Sequence, residues 1–122
     1  MKARILIVED DQIIQLDLRL HLKRLDYDVV GTASSGEEAI AKAAQLQPDL
    51  VLMDLRLQGA MDGLEAAQKI QSARQVPVIY LTAQSGNIAR DGRESLGPLV
   101  SKPFKQTELQ GAIKKALNSH QE

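Results

Sequence analysis

Leu50-Val51-Leu52-Met53-Asp54 is four apolar residues in a row that end on a carboxylate. A strand with one face in water alternates apolar and polar residues. This run is apolar on both faces, which fits a strand covered by helices on each side. Ile5-Leu6-Ile7-Val8 reads the same way, and it also runs straight into acid, Glu9-Asp10-Asp11. Outward from these two runs, five short apolar stretches alternate with five longer segments, several of them with helical periodicity. Strands are expected at Arg4–Val8, Asp28–Ala33, Leu50–Asp54, Val76–Thr82 and Leu99–Ser101, and helices at about 12–25, 36–47, 62–74, 86–95 and 106–119. Ser35-Gly36-Glu37-Glu38 opens the second helix with N-cap chemistry and first-turn acids, and Gln47-Pro48 closes it. Thr107 is a candidate cap for the last. Strict alternation of strand and helix predicts a parallel sheet with right-handed crossovers, a doubly wound α/β fold. No repeat, linker or low-complexity tract interrupts the 122 residues, so the expectation is one domain over 1–122.

Composition narrows the chemistry. The chain has no cysteine, which excludes disulfides, thiolate metal sites and cysteine nucleophiles and suits a reducing cytoplasm. No apolar run approaches the roughly 20 residues of a membrane span, and no signal-peptide pattern opens the chain. With 15 basic and 16 acidic residues the net charge is −1, which gives no electrostatic footprint for nucleic acid. Tyr27, Tyr80 and Phe104 are the only aromatics, too few for a base-stacking platform.

In an open α/β sheet, ligands bind outside the carboxyl ends of the strands, near the point where the strand order reverses. Strand one ends in Glu9-Asp10-Asp11, strand three in Asp54, strand four in Thr82, and strand five in Ser101-Lys102-Pro103. Each has an ordinary reading. Acids favour helix starts, threonine is a common strand residue, and a lone lysine is usually solvated. What these readings leave unexplained is why Asp54 points to the same edge as the three acids. Two carboxylates about 5 Å apart repel by roughly 3 kcal/mol at an effective dielectric near 20. Such a cluster either holds a proton or recruits a cation, and hard oxygen ligands with open positions suit Mg²⁺. Thr82 and Lys102 together offer a phosphate a donor hydroxyl and an ammonium, and an aspartate can act as nucleophile toward phosphorus. His21 and His120 fall at expected surface positions of helices and carry no expected catalytic role.

Taken together, Ile5-Leu6-Ile7-Val8-Glu9-Asp10-Asp11, Asp49-Leu50-Val51-Leu52-Met53-Asp54, Met61-Asp62-Gly63, Val78-Ile79-Tyr80-Leu81-Thr82-Ala83 and Lys102-Pro103-Phe104 resemble the response-regulator receiver family over essentially the whole chain. The resemblance implies a flavodoxin-like, five-stranded parallel sheet of order 2-1-3-4-5 with helices on both faces. It implies Asp54 as phosphoacceptor for a histidine kinase or phosphotransfer protein. Mg²⁺ would be held by Asp10, Asp54 and the Arg56 backbone carbonyl, with Glu9 supporting it through water. Thr82 would bind a phosphoryl oxygen and Lys102 would pair with the phosphate. It further implies a cytoplasmic signalling domain that promotes only its own phosphorylation and dephosphorylation, and that controls an output partner the sequence does not identify. In the family the bond corresponding to Lys102–Pro103 is usually cis.

Three departures stand against the family pattern. The loop Leu55–Met61 is one residue longer than usual and has Gln58-Gly59-Ala60 where a proline is common. Leu99 occupies the place of the aromatic whose rotation reports phosphorylation. The segment from Gln84 to Pro98 is Gly-rich, with Ile88 and Leu96 as its large apolar residues, so a marginal helix is expected there and phosphorylation is expected to order or shift it. In the first helix, Ile13, Ile14, Leu16, Leu18, Leu20, Leu22 and Leu25 spread beyond one core-facing stripe, which suggests a kinase-docking or homodimer face. Rival functions fit less well. A haloacid-dehalogenase-type phosphatase needs Asp-x-Asp after strand one, a Toprim-type nuclease needs Asp-x-Asp later, and a flavodoxin would not place three acids at its phosphate loop. The remaining alternative is a vestigial receiver that works as a phosphorylation-independent protein-binding module.

Overall fold

Side chains alternate along β1 between two helical layers, and that alternation organises the molecule. The computed structural model describes residues 2–57, 59–82 and 98–120, with His120 described by its backbone only. In chain order the elements are β1 (Arg4–Val8), α1 (Gln12–Arg24), β2 (Asp28–Ala33), α2 (Gly36–Leu46), β3 (Leu50–Asp54), α3 (Gly63–Ala73), β4 (Val78–Thr82), β5 (Leu99–Ser101) and α4 (Gln106–His120). All the strands pair in parallel in the order β2-β1-β3-β4-β5. Ile5 and Ile7 of β1 join Leu50 and Leu52 of β3 and Ile79 and Leu81 of β4 under α1 and α4, where Leu18, Leu22, Leu109 and Ile113 are fully buried. Leu6, Val8, Val51, Met53, Val78 and Tyr80 point the other way, onto Ala39 and Ala43 of α2 and Ala66, Ala67 and Ile70 of α3. Each fully buried Leu or Ile contributes roughly 1.5–3 kcal/mol relative to exposure, so the two-sided strands are the main store of stability.

Local signals set the boundaries. The Asp11 carboxylate accepts from the Ile13 and Ile14 N–H groups, Ser35 Oγ from Glu38 N–H, and Asp62 from Glu65 N–H, each satisfying a donor the helix leaves open. Gln47 closes α2 in the left-handed region, at φ 49° and ψ 62°. The Lys102–Pro103 peptide is cis.

Three expectations need correction. Strand β4 begins at Val78, not Val76: Pro77 has no N–H for a ladder, and its carbonyl accepts from Val51 N–H at 3.0 Å while Val76 is buried against α3. Thr107 lies inside α4, which starts at Gln106, so it is a first-turn residue and not the cap. His21 is not a surface side chain: it is half-buried, with Nδ1 3.3 Å from Gln106 Oε1 on α4 and Nε2 3.5 Å from Asp17. The expected helix at 86–95 lies outside the described residues.

Candidate functional site

Between β1 and β3 the strand order reverses, since β1 connects outward to β2 and the chain then returns to the other side of β1 as β3. Side chains that leave the carboxyl ends of β1 and β3 therefore converge. Val8 pairs with Met53, so Glu9, Asp10 and Asp54 emerge at one level. One carboxylate oxygen from each lies within 4.8 Å of the others, with Asp10 partly exposed and Glu9 and Asp54 buried. Tyr80 pairs with Leu99 and Thr82 with Ser101, and Lys102 N–H donates to the Thr82 carbonyl at 2.7 Å. That pairing brings Lys102 from β5 across to the acids: its Nζ is 2.7 Å from Glu9 Oε1 and 3.3 Å from Asp54 Oδ2.

Two of the three carboxylates are held from behind. Asp54 Oδ1 accepts from Arg56 N–H at 3.0 Å, which fixes the head group at the start of the loop that follows β3. Glu9 Oε2 accepts from Asp11 N–H at 3.1 Å, and the Gln15 side-chain amide donates to the Glu9 carbonyl. Burial pushes the Glu9 carboxyl up to about 7. Lys102 and the Asp11 N–H work against that rise, and neighbouring Asp54 adds to it. Burial also pulls on the Lys102 ammonium, but its hydrogen bond to Glu9 and the charge of Asp54 outweigh this and hold it above the ordinary lysine value. The site is thus a buried carboxylate with a raised pKa and two further carboxylates, with a single ammonium that contacts Glu9 and Asp54. Such an all-oxygen donor set with an open side fits a hard divalent cation such as Mg²⁺ and offers nothing to a metal that prefers nitrogen or sulfur.

The expected residues come together in part as anticipated. Glu9, Asp10, Asp54 and Lys102 form one cluster, and Thr82 ends the next strand, partly buried. The Arg56 side chain is exposed while its backbone reaches Asp54. The longer loop buries Leu55 and Leu57 and turns at Gly59, whose φ of 106° favours glycine. Leu99 packs beside Tyr80 against the α2/α3 core. Three contributors were missed. The ion pair between Glu9 and Lys102 joins residues 93 apart, and no local pattern signals it. Gln15 gives no signal at all. Gly63 does: a Cβ there would sit 1.9 Å from the Asp54 carbonyl oxygen. A glycine directly after a helix cap, where side chains normally cost nothing, is the trace of that close approach.

Comparison with known proteins agrees with this geometry. The sequence profile described as response regulator receiver domain matches residues 5–114. The chain is 36% identical over 121 residues to the transcriptional regulatory protein PdtaR of Mycobacterium tuberculosis, covering 98% of this chain and 58% of that protein. Among solved structures, the response regulator PhyR from Brucella abortus superposes with a TM-score of 0.88 at 30% identity, over 99% of this chain and 50% of that one. The signal receiver domain of a modulated diguanylate cyclase from Desulfovibrio desulfuricans superposes with a TM-score of 0.87 at 32% identity, over 98% and 96%. The chain spans about half the length of the curated relatives it matches.

Proposed function

Because the chain belongs to the response regulator receiver domain family, we propose that it takes a phosphoryl group from a histidine kinase or phosphotransfer protein onto Asp54. The observation that carries this reading is the position of the Asp54 carboxylate at the end of a central strand, 3.3 Å from the Lys102 ammonium and grouped with Glu9 and Asp10. An Asp54 oxygen bonds to phosphorus as the P–N bond of the donor phosphohistidine breaks, which leaves an acyl phosphate here and a free imidazole on the donor. The Arg56 N–H holds the carboxylate in place for that attack. Thr82 and Lys102 supply a hydroxyl and an ammonium to the phosphoryl oxygens. Asp10, Asp54, the Arg56 carbonyl and, through water, Glu9 would hold Mg²⁺, which when bound neutralises phosphoryl charge. The domain acts on no separate substrate: it promotes its own phosphorylation and the hydrolysis that ends it, and it passes the change of state to an output partner.

Beryllofluoride, which mimics a phosphoryl group on a carboxylate, tests the reading. Added with Mg²⁺ to isotope-labelled protein, it should shift amide resonances around Asp10, Asp54, Arg56, Thr82 and Lys102. A vestigial, phosphorylation-independent module would show none of these shifts.

A further inference from the structure

Ile13, Leu16 and Leu20 are 80%, 57% and 45% exposed, and they are the only large hydrophobics left so among the described residues. They stand at i, i+3 and i+7 of α1, on the side of the helix away from Leu18 and Leu22. The site already described uses none of them. Leu16 and Leu20 line one wall of a groove of about 600 Å³ whose other wall is the chain entering β2, with Tyr27, Asp28 and Val29.

That second wall is a sheet edge. β2 is the outermost strand, and among the described residues no strand pairs with its outer side. Asp28 N–H donates inward to Ala3, so the backbone of Val29, the next residue, faces outward; the ladder then shifts register between Val29 and Gly31, and beyond that shift the Ala33 carbonyl again accepts inward from Glu9. At the far end, Lys42 Nζ takes the outward Thr32 carbonyl at 2.5 Å, which blunts that half of the edge. The half left open is the half beside the groove. The groove's charges are also unbalanced. Lys2 pairs with Asp26 at 3.1 Å, and Asp28 is the groove's own acid, but Arg19 and Lys23 have no ion-pair partner among the described residues.

We propose that this groove receives an extended, acidic segment of a partner protein, added as a strand to the outer edge of β2. Backbone hydrogen bonds to Val29 supply pairing, alternate apolar side chains cover Leu16 and Leu20, and carboxylates meet Arg19 and Lys23. A second copy of this chain is a poorer occupant, because a two-fold pairing of the α1 faces sets Arg19 and Lys23 against themselves.

The test uses the wild-type protein with no phosphodonor present, so it stands apart from the proposed phosphotransfer. The probe is a synthetic eight-residue peptide alternating valine with glutamate. Amide shifts are expected at residues 27–31 and along the Leu16–Lys23 side of α1, with slowed hydrogen exchange at Val29 N–H. The double variant Arg19→Glu, Lys23→Glu should bind about tenfold more weakly, and a peptide with a central proline should not bind. Three results each overturn the proposal: no shift at residues 27–31 up to the solubility of the peptide, shifts confined to α1, or equal binding of a peptide with lysine in place of glutamate.

Discussion

Replacing Gly63 with alanine places a Cβ 1.9 Å from the Asp54 carbonyl oxygen, 2.8 Å from the Asp54 carbonyl carbon and 3.0 Å from Leu55 Cα. All three are backbone atoms at the end of a central strand, so no side chain can swing away to make room. The N-terminus of α3 has to lift from β3, which also strains the Gly63 N–H to Leu55 carbonyl bond, 3.2 Å long. Overpacking of this kind costs typically 1–3 kcal/mol and sometimes more. The depth of this overlap puts Gly63→Ala at the top of that range, about 3 kcal/mol, partly offset by the several tenths that alanine gains over glycine in a helix. For a domain of this size the loss corresponds to a fall in Tm of about 10 °C. Gly111→Ala is the matched control. Gly111 lies inside α4, with nothing within 4 Å of its ideal Cβ. The same chemical change there should therefore stabilise by about 0.5–1 kcal/mol. Urea and thermal denaturation of both variants decide the matter. The reasoning fails if Gly63→Ala unfolds within about 0.5 kcal/mol of wild type, the usual scatter of surface changes.

Lys102→Met leaves Glu9 and Asp54 buried without their shared cation, and should cost about 3 kcal/mol at pH 8 and clearly less near pH 5, where Glu9 takes up a proton. Equal urea-derived losses at both pH values would contradict it. In the metal-free wild type, the Glu9 pKa of about 7 lies above its ordinary 4.5, so its contribution is complete below the ordinary value and is lost as pH rises through 7. Stability in EDTA should therefore increase from pH 8 to 5.5, by at most about 2 kcal/mol; Glu38, held below its ordinary value by the Ser34 N–H and Lys42, opposes this only at lower pH. A flat or reversed urea midpoint over that interval would sink the assignment. Asp10→Ala should nearly abolish Mg²⁺ binding by titration calorimetry while leaving the metal-free protein as stable as wild type or more so, since it removes one of three crowded carboxylates. Unchanged Mg²⁺ affinity would rule Asp10 out as a ligand.

The parts of the fold that were legible in the sequence are those fixed by periodicity. Runs such as Ile5–Val8 and Leu50–Met53 name buried strands without help, and alternating elements name the architecture. The acids after β1 and β3 could be placed on one edge because strand ends, unlike side-chain contacts, follow from topology. What escaped was set by tertiary packing. Lys102 was assigned to a phosphate, and its present contacts with Glu9 and Asp54 depend on β5 lying beside β4 and on the pairing of Thr82 with Ser101. His21 looked like a surface residue because its helix is amphipathic only weakly, and its burial depends on where α4 begins. Thr107 had the chemistry of a cap, but α4 starts one residue earlier. The exposed apolar residues of α1 were anticipated as a partner face; the structure adds the edge strand and the cations beside them.

The central claim is that Asp54 is the phosphoacceptor, and intact-mass spectrometry after incubation with acetyl phosphate and Mg²⁺ tests it most directly. Wild-type protein should gain a single increment of about 80 Da, the mass of HPO₃. The increment should disappear in Asp54→Asn and when Mg²⁺ is withheld. An Asp54→Asn protein that gains the same mass as wild type would contradict the account.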